Sequence, residues 1–239
     1  MRKLLSLVML LVIALGLVSA LSSRLIGAEG AKRSDRLDEQ EVNFGRTYNS
    51  RGVDQTGAPN IVASVVVTYR GFDTLGEVTI LFIAAIGLAA LLQAEKKTDA
   101  QRETEPASLI VFTGCRFLFP LIMLFGTYIF MHGHLTPGGG FQGGAIIASG
   151  FLLIVLGCRG KELAVGKLGA VEAFSGLFFV VVGLIGLGVG GSFLFNFLPK
   201  GTEYALFSAG VIPVIYVLIG FKVGSELGGI VASLAGGAK

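Results

Sequence analysis

Apolar residues in this chain come in blocks, not at the spacing of an amphipathic surface helix. The blocks are 4–21, 61–92, 109–131, about 143–157, 168–191 and 204–223. A helix needs about 20 apolar residues to cross the hydrocarbon layer of a bilayer. The pattern therefore predicts an all-α integral membrane protein with about six transmembrane helices. The units expected are an N-terminal helix (1–21), a polar connector (22–60), a transmembrane segment (61–92), a charged linker (93–108), a four-helix region (109–233) and a tail (234–239).

Block 4–21 follows Arg2 and Lys3 and ends near Val18-Ser19-Ala20, which has the small residues of a secretory cleavage site. It reads either as such a leader or as a retained first helix, and the membranous character of the later blocks favours retention. In 22–60, six basic residues (Arg24, Lys32, Arg33, Arg36, Arg46, Arg51) match six acidic ones (Glu29, Asp35, Asp38, Glu39, Glu41, Asp54). This reads as a solvated connector, with a short helix near Arg33–Val42. Pro120 lies inside the third block and Pro213 inside the sixth, where each is expected to kink its helix.

Two stretches carry candidate chemistry. Arg70, Asp73 and Glu77 interrupt the second block at i, i+3 and i+7, so on a helix they share one face. If that helix starts near Ile61, Asp73 and Glu77 lie about 18 and 24 Å along it, inside the hydrocarbon layer. Charge there is costly unless paired or hydrated, and an intramembrane acid points to an ion or proton path. Arg70 favours the ionised acids while burial disfavours them, so the net shift stays open. The plain alternative is a structural Arg–Asp pair.

The second stretch is MHGHLTPGGGFQGG, residues 131–144. Thr136 before Pro137 has the chemistry of a helix cap followed by proline in the first turn. Gly138, Gly139, Gly140, Gly143 and Gly144 then suit close helix packing. His134 reads as an ion-path group or as a hydrogen-bonded turn residue, since a pKa near 6.5 allows either. His132 and His134 do not face each other on a helix and have no third ligand nearby, so no metal site is expected. No phosphate loop is formed, because no Gly-Lys-[Ser/Thr] follows the glycines.

Composition sharpens the class. Of 239 residues, 53% are hydrophobic and 15% charged, with mean hydropathy +0.77. A soluble domain is nearer a quarter charged. The net charge of +3 comes with no basic cluster, so no nucleic-acid partner is expected. Cys115 and Cys158 sit in or at the ends of apolar runs and read as packing residues. If six spans alternate, Arg2/Lys3, Lys96/Lys97/Arg102, Arg159/Lys161/Lys167 and Lys222/Lys239 share one side. Basic residues in short loops mark the cytoplasmic face, so both termini are expected there.

Two stretches together resemble a known family. HGHLTPGGGFQGGAIIASGFLLI and FNFLPKGTEYALFSAGVIPVIYVLIGFKVGSEL resemble the B-type (MnhB) component of the Mrp (Mnh) type multisubunit Na+/H+ antiporters. TGAPNIVASVVVTYRGFDTLGEVTILFIAAIGLAALL resembles the carboxyl end of the A-type component of those antiporters, or the separate small E-type component of membrane-bound hydrogenases. The likeness covers roughly residues 53–233. It implies a multi-pass subunit of the cytoplasmic membrane with other membrane subunits as partners and Na+ and H+ as cargo. It implies no cofactor of its own and no catalytic residue, any redox chemistry belonging to the partners. It also implies that Asp73, Glu77 and His134 lie near the ion path, with Arg70 tuning the acids.

The host stays open between an antiporter and an energy-converting membrane-bound hydrogenase or related respiratory complex, in which the same module occurs, and two rival readings stand beside it. A purely structural subunit would use the glycine-rich helices to scaffold larger partners. A self-sufficient carrier would need more than one acid-rich intramembrane segment.

Overall fold

A computed structural model describes residues 11–12, 15, 44–95, 108–158 and 164–234. The expected helix near Arg33–Val42, most of the first block, the linker 96–107 and the tail from 235 lie outside the described residues. The division of the chain places Met1–Thr47 in one unit and Tyr48–Lys239 in another.

The described elements are helical throughout. Helix α1 spans Phe44–Thr56. Helix α2 starts as Ile61–Ala63 and widens into a π-helical stretch, Ser64–Tyr69. Then come α3 (Gly71–Glu95), α4 (Leu109–Met131), α5 (Gly140–Gly157), α6 (Val165–Gly190) and α7 (Ile212–Leu234). The last five are long and apolar enough to cross a membrane, five spans among the described residues. This is a multi-pass membrane protein, as the blocks predict.

Helix α7 is the centre. It packs against α3, α4, α5 and α6, and 56% of its span is buried within the chain, against 6% for α3 and 11% for α4. Glycine makes the tightest contacts possible. A β-carbon at Gly140 would lie 2.6 Å from the Ile219 β-carbon, and one at Gly144 would lie 2.8 Å from that of Val223. On its other side α5 meets α4, where a β-carbon at Gly143 would lie 2.7 Å from the Gly126 oxygen. Helix α5 is thus pressed between two neighbours, and small residues at such faces let backbones approach. At the far end Cys115, Ile154 and Cys158 form a small buried cluster, both thiols free.

The connectors at the start of α3, the α4–α5 turn and the stretch 192–211 interlock at one end of the bundle. The Asn60 side chain donates to the oxygens of Gly133 (2.7 Å) and Thr136 (3.0 Å). The Asn196 amide donates to Thr56 and Ala209 oxygens at 3.2 Å, and its oxygen accepts from Val211 N–H. Lys200 Nζ donates to the Asp54 oxygen at 2.7 Å. These bonds satisfy main-chain groups that a bare loop would leave unpaired.

Three features differ from the sequence expectation. The second span does not run on from Ile61, because the chain breaks at Arg70 (φ −126°, ψ 40°) and α3 starts afresh at Gly71. A π-helical turn carries one extra residue, and such turns mark local departures from the regular ladder. The sixth span starts at Ile212, not near Tyr204, and runs on to Leu234 past Lys222. Pro213 consequently sits in the first turn of α7, where its missing N–H costs nothing, and is not a mid-helix kink. Thr136 does not cap α5: its hydroxyl donates back to the His132 oxygen at 3.2 Å, and Gly139 holds the cap position.

Candidate ion-path site

Arg70 and Asp73 form an ion pair at the interlocked end, with side chains 61% and 51% exposed. Exposure at that level makes the pair worth at most about 1 kcal/mol. Asp73 lies in the first turn of α3, where a carboxylate also meets the positive end of the helix dipole. With α3 starting at Gly71, Asp73 and Glu77 sit about 3 and 9 Å along the helix at 1.5 Å per residue. They are in the first two turns of the span, not 18 and 24 Å along it as the continuous helix implied.

Glu77 is exposed on the chain surface, and among the described residues it has no ion pair. It lines a cavity of about 670 Å³ with Ile80, Leu81, Phe141, Gln142 and Val223. Two stretches far apart in sequence, the Phe72–Glu77 motif and the glycine turn, thus meet across the α3–α5–α7 groove. Gly71 fixes the start of α3, since a β-carbon there would lie 2.9 Å from a Leu194 methyl. Phe72 stacks on Phe193, centroids 4.9 Å apart, and Thr74 donates to the Val66 oxygen at 2.7 Å.

His134 is fully buried in the α4–α5 turn, and neither ring nitrogen has a hydrogen-bond partner of normal geometry. Burial pushes its pKa below 6.5, with His132 adding to the effect; the main chain at Ala205, Leu206 and Met131 pulls the other way. His134 does not line the Glu77 cavity. The sequence set is therefore divided: Arg70 with Asp73, Glu77 with the glycine turn, and His134 within the connectors. Among the packing candidates, Gly138 approaches the Ile129 oxygen, Gly139 approaches Gln142, and Pro120 lies inside α4.

A second charged group went unassigned in the sequence. Lys222 Nζ donates to Glu226 Oε2 at 2.9 Å, and Glu172 of α6 lies 3.7 Å away. Lys222 and Glu226 are buried, and Glu226 Oε1 has no partner. Lys222 is about 15 Å from the start of α7 at 1.5 Å per residue, at the middle of a layer about 30 Å thick. Reading Lys222 as the end of a span hid its i, i+4 spacing to Glu226. That spacing inside an otherwise apolar run was the available signal.

A transmembrane bundle with charged groups at two grooves is the class that this geometry defines. A family described as "Domain related to MnhB subunit of Na+/H+ antiporter" matches residues 110–229, and the MbhE family of MBH subunits matches 35–104. The chain belongs to the MnhB-related family. An uncharacterised protein of Methanocaldococcus jannaschii is 33% identical over 196 residues, 69% of this chain and 72% of that protein. The matches to named antiporter subunits are partial. The A/B component of a probable K(+)/H(+) antiporter of Rhizobium meliloti is 30% identical, over 44% of this chain and 13% of its own length. The B component of the Na(+)/H(+) antiporter of Bacillus subtilis is 41% identical, over 23% and 38%. Among solved structures, a chain of the membrane-bound sulfane sulfur reductase, an archaeal respiratory membrane complex, is 44% identical. It aligns at TM-score 0.75, over 98% of this chain and 97% of that one. A chain of the Mrp complex from Dietzia sp. DQ12-45-1b is 27% identical at TM-score 0.68, over 99% and 26%.

Proposed function

We propose that this chain is a membrane subunit of a multisubunit Na+/H+ antiporter module in the cytoplasmic membrane. It lends Glu77 to the ion path, with the Arg70–Asp73 pair at the start of α3 and His134 buried in the connectors at the same end. The observation that carries this is the shared cavity: Glu77 from the first stretch and Phe141 and Gln142 from the second line one groove. A carboxylate at an apolar groove costs about 3 kcal/mol at the middle of a bilayer and less near its edge, so one set about 9 Å in serves a hydrated path. The interlocked end faces outside and the termini face the cytoplasm, following the basic residues of the short loops.

The sparse burial of α3 and α4 supports partners. Helices this apolar and this bare are covered by lipid or by other membrane subunits, and the chain is not expected to transport alone. Any catalysis belongs to those partners. A second host is favoured by one observation, the match to nearly the whole of a chain of the sulfane sulfur reductase complex. In that reading the same subunit serves a redox-driven complex. The test is Glu77→Gln in the assembled host complex, assayed in vesicles for Na+-linked proton movement. Loss of that movement with normal assembly is expected. Wild-type movement would refute the role of Glu77 and leave a scaffold.

A further inference from the structure

We infer that Lys222, Glu226 and Glu172 form a proton-binding site within the membrane, separate from Glu77. With all three ionised the cluster carries one negative charge more than positive. A buried cluster in a low-dielectric layer favours neutrality, so it takes up one cation. The free Glu226 Oε1 and the partly exposed Glu172 carboxylate mark where that cation goes. A proton fits and a metal ion does not. Hard cations want at least six oxygen ligands, and here an ammonium already stands 2.9 Å from one carboxylate.

Two cavities meet at this cluster. One, about 390 Å³, lies toward the interlocked end and is lined by Val78, Thr79, Gly176, Glu172 and Lys222. The other, about 180 Å³, lies toward the opposite end and is lined by Ala89, Ser233, Glu172 and Glu226. Phe82 and Glu172 line both. The Phe82 ring holds Lys222 Nζ at 5.1 Å from its centroid, so the ammonium sits at the partition. The charged groups facing Glu226 are Lys222 on its own helix and Glu172 on α6; among the described residues α3 lines the cluster with Phe82, Ala85 and Ala89 and with no charged group.

The step is a single proton exchange. A hydronium ion in the cavity breaks one of its O–H bonds and becomes water as its proton adds to a Glu172 carboxylate oxygen, forming one O–H bond. Lys222 then rests on Glu226 alone. When that O–H bond breaks, the proton returns to water and Lys222 is shared between the two carboxylates. The ammonium keeps its three protons throughout.

The inference rests on the proposed host only for its transport readout. The test uses the native complex with the full chain, followed by infrared difference spectroscopy as pH is raised. A titrating buried-carboxyl band is expected, lost in Glu172→Gln and shifted in Glu226→Gln. Proton movement should fall roughly a hundredfold in Glu172→Gln, the scale of removing a positioned proton carrier. If the single variants do not assemble, the neutral pair Lys222→Met with Glu226→Met is measured instead. A neutral-pair complex that assembles with a carboxyl band that no longer titrates and without proton movement supports the site. One that moves protons at the wild-type rate overturns it, as does an unchanged spectrum in Glu172→Gln. Loss of function in Glu77→Gln beside wild-type Glu172→Gln would sink this site while leaving the proposed function standing.

Discussion

The Asn60 main-chain N–H donates to the His134 oxygen at 3.1 Å. One residue thereby fixes the turn between α4 and α5 from its main chain, while its side chain holds Gly133 and Thr136. The Asn60 oxygen also accepts from Val62 N–H, capping α2. The connector read as a solvated linker is, at this point, the clamp on the glycine turn.

Asn60→Asp tests that clamp. Aspartate keeps the acceptor for Val62 but cannot donate to two carbonyl oxygens, and it sets a negative charge against them. A loss of about 2 kcal/mol in unfolding free energy is expected, the cost of leaving partly buried acceptors unpaired. Thermal or denaturant unfolding of the purified chain in detergent measures it. No change would mean that water replaces the amide.

His134 gives the fold a pH dependence of known sign. Its folded pKa is lowered by burial, so the folded chain binds this proton less readily than the unfolded chain. Stability from this group is complete above the unfolded value of 6.5 and falls as pH drops from there toward the folded pKa. His134→Gln should flatten the acid side of a stability–pH curve measured by thermal unfolding. An equally steep curve in the variant would assign the slope to other groups.

Glycines that look alike in sequence are expected to respond with opposite signs. A β-carbon at Gly144 on α5 meets Val223 at 2.8 Å and the Gly220 oxygen at 2.9 Å, so Gly144→Ala should cost about 1–3 kcal/mol through overpacking. A β-carbon at Gly87 on α3 meets nothing within 4 Å. In the isolated chain, Gly87→Ala should be neutral or stabilising by up to about 1 kcal/mol, because alanine is the better helix former. Unfolding of both variants side by side reads the difference. Equal effects would rule out the close approach as the reason for glycine.

The helices bounded by polar stretches were legible in the sequence. Leu109–Met131 matches its block, and Gly140–Gly157 and Val165–Gly190 differ from theirs by three residues or fewer at each end. Length and hydropathy suffice when an apolar run has clear edges. They fail where packing sets the boundary. Ala205, Leu206 and Phe207 are apolar, yet they lie in the connector whose main chain is tied to Lys200 and Asn196. The break at Arg70 falls where the polar residues interrupt the second block, beside Gly71, but that interruption spans Tyr69–Glu77 and does not by itself say at which residue α3 begins.

The candidate acids divide in the same way. The Arg70–Asp73 pair follows from i, i+3 spacing alone and was readable. The depth of Glu77 was not, since it depends on where α3 begins. The Lys222–Glu226 pair had readable spacing, but its third member, Glu172, comes from another helix. Asn60 reaches a turn 73 positions away, and no local pattern announces that.

Helix α3 lies on α7 with a cavity along each flank, one shared with α5 and one with α6. Its first turn is tied by Gly71, Phe72 and Thr74, and further along Val78, Leu81 and Phe82 face α7 and the core while the rest of its surface is open. A sideways displacement of α3 on α7 would narrow one flank as it widened the other. The groove holding Glu77 and the groove holding Lys222 would then be antagonists in volume, since one helix forms a wall of both.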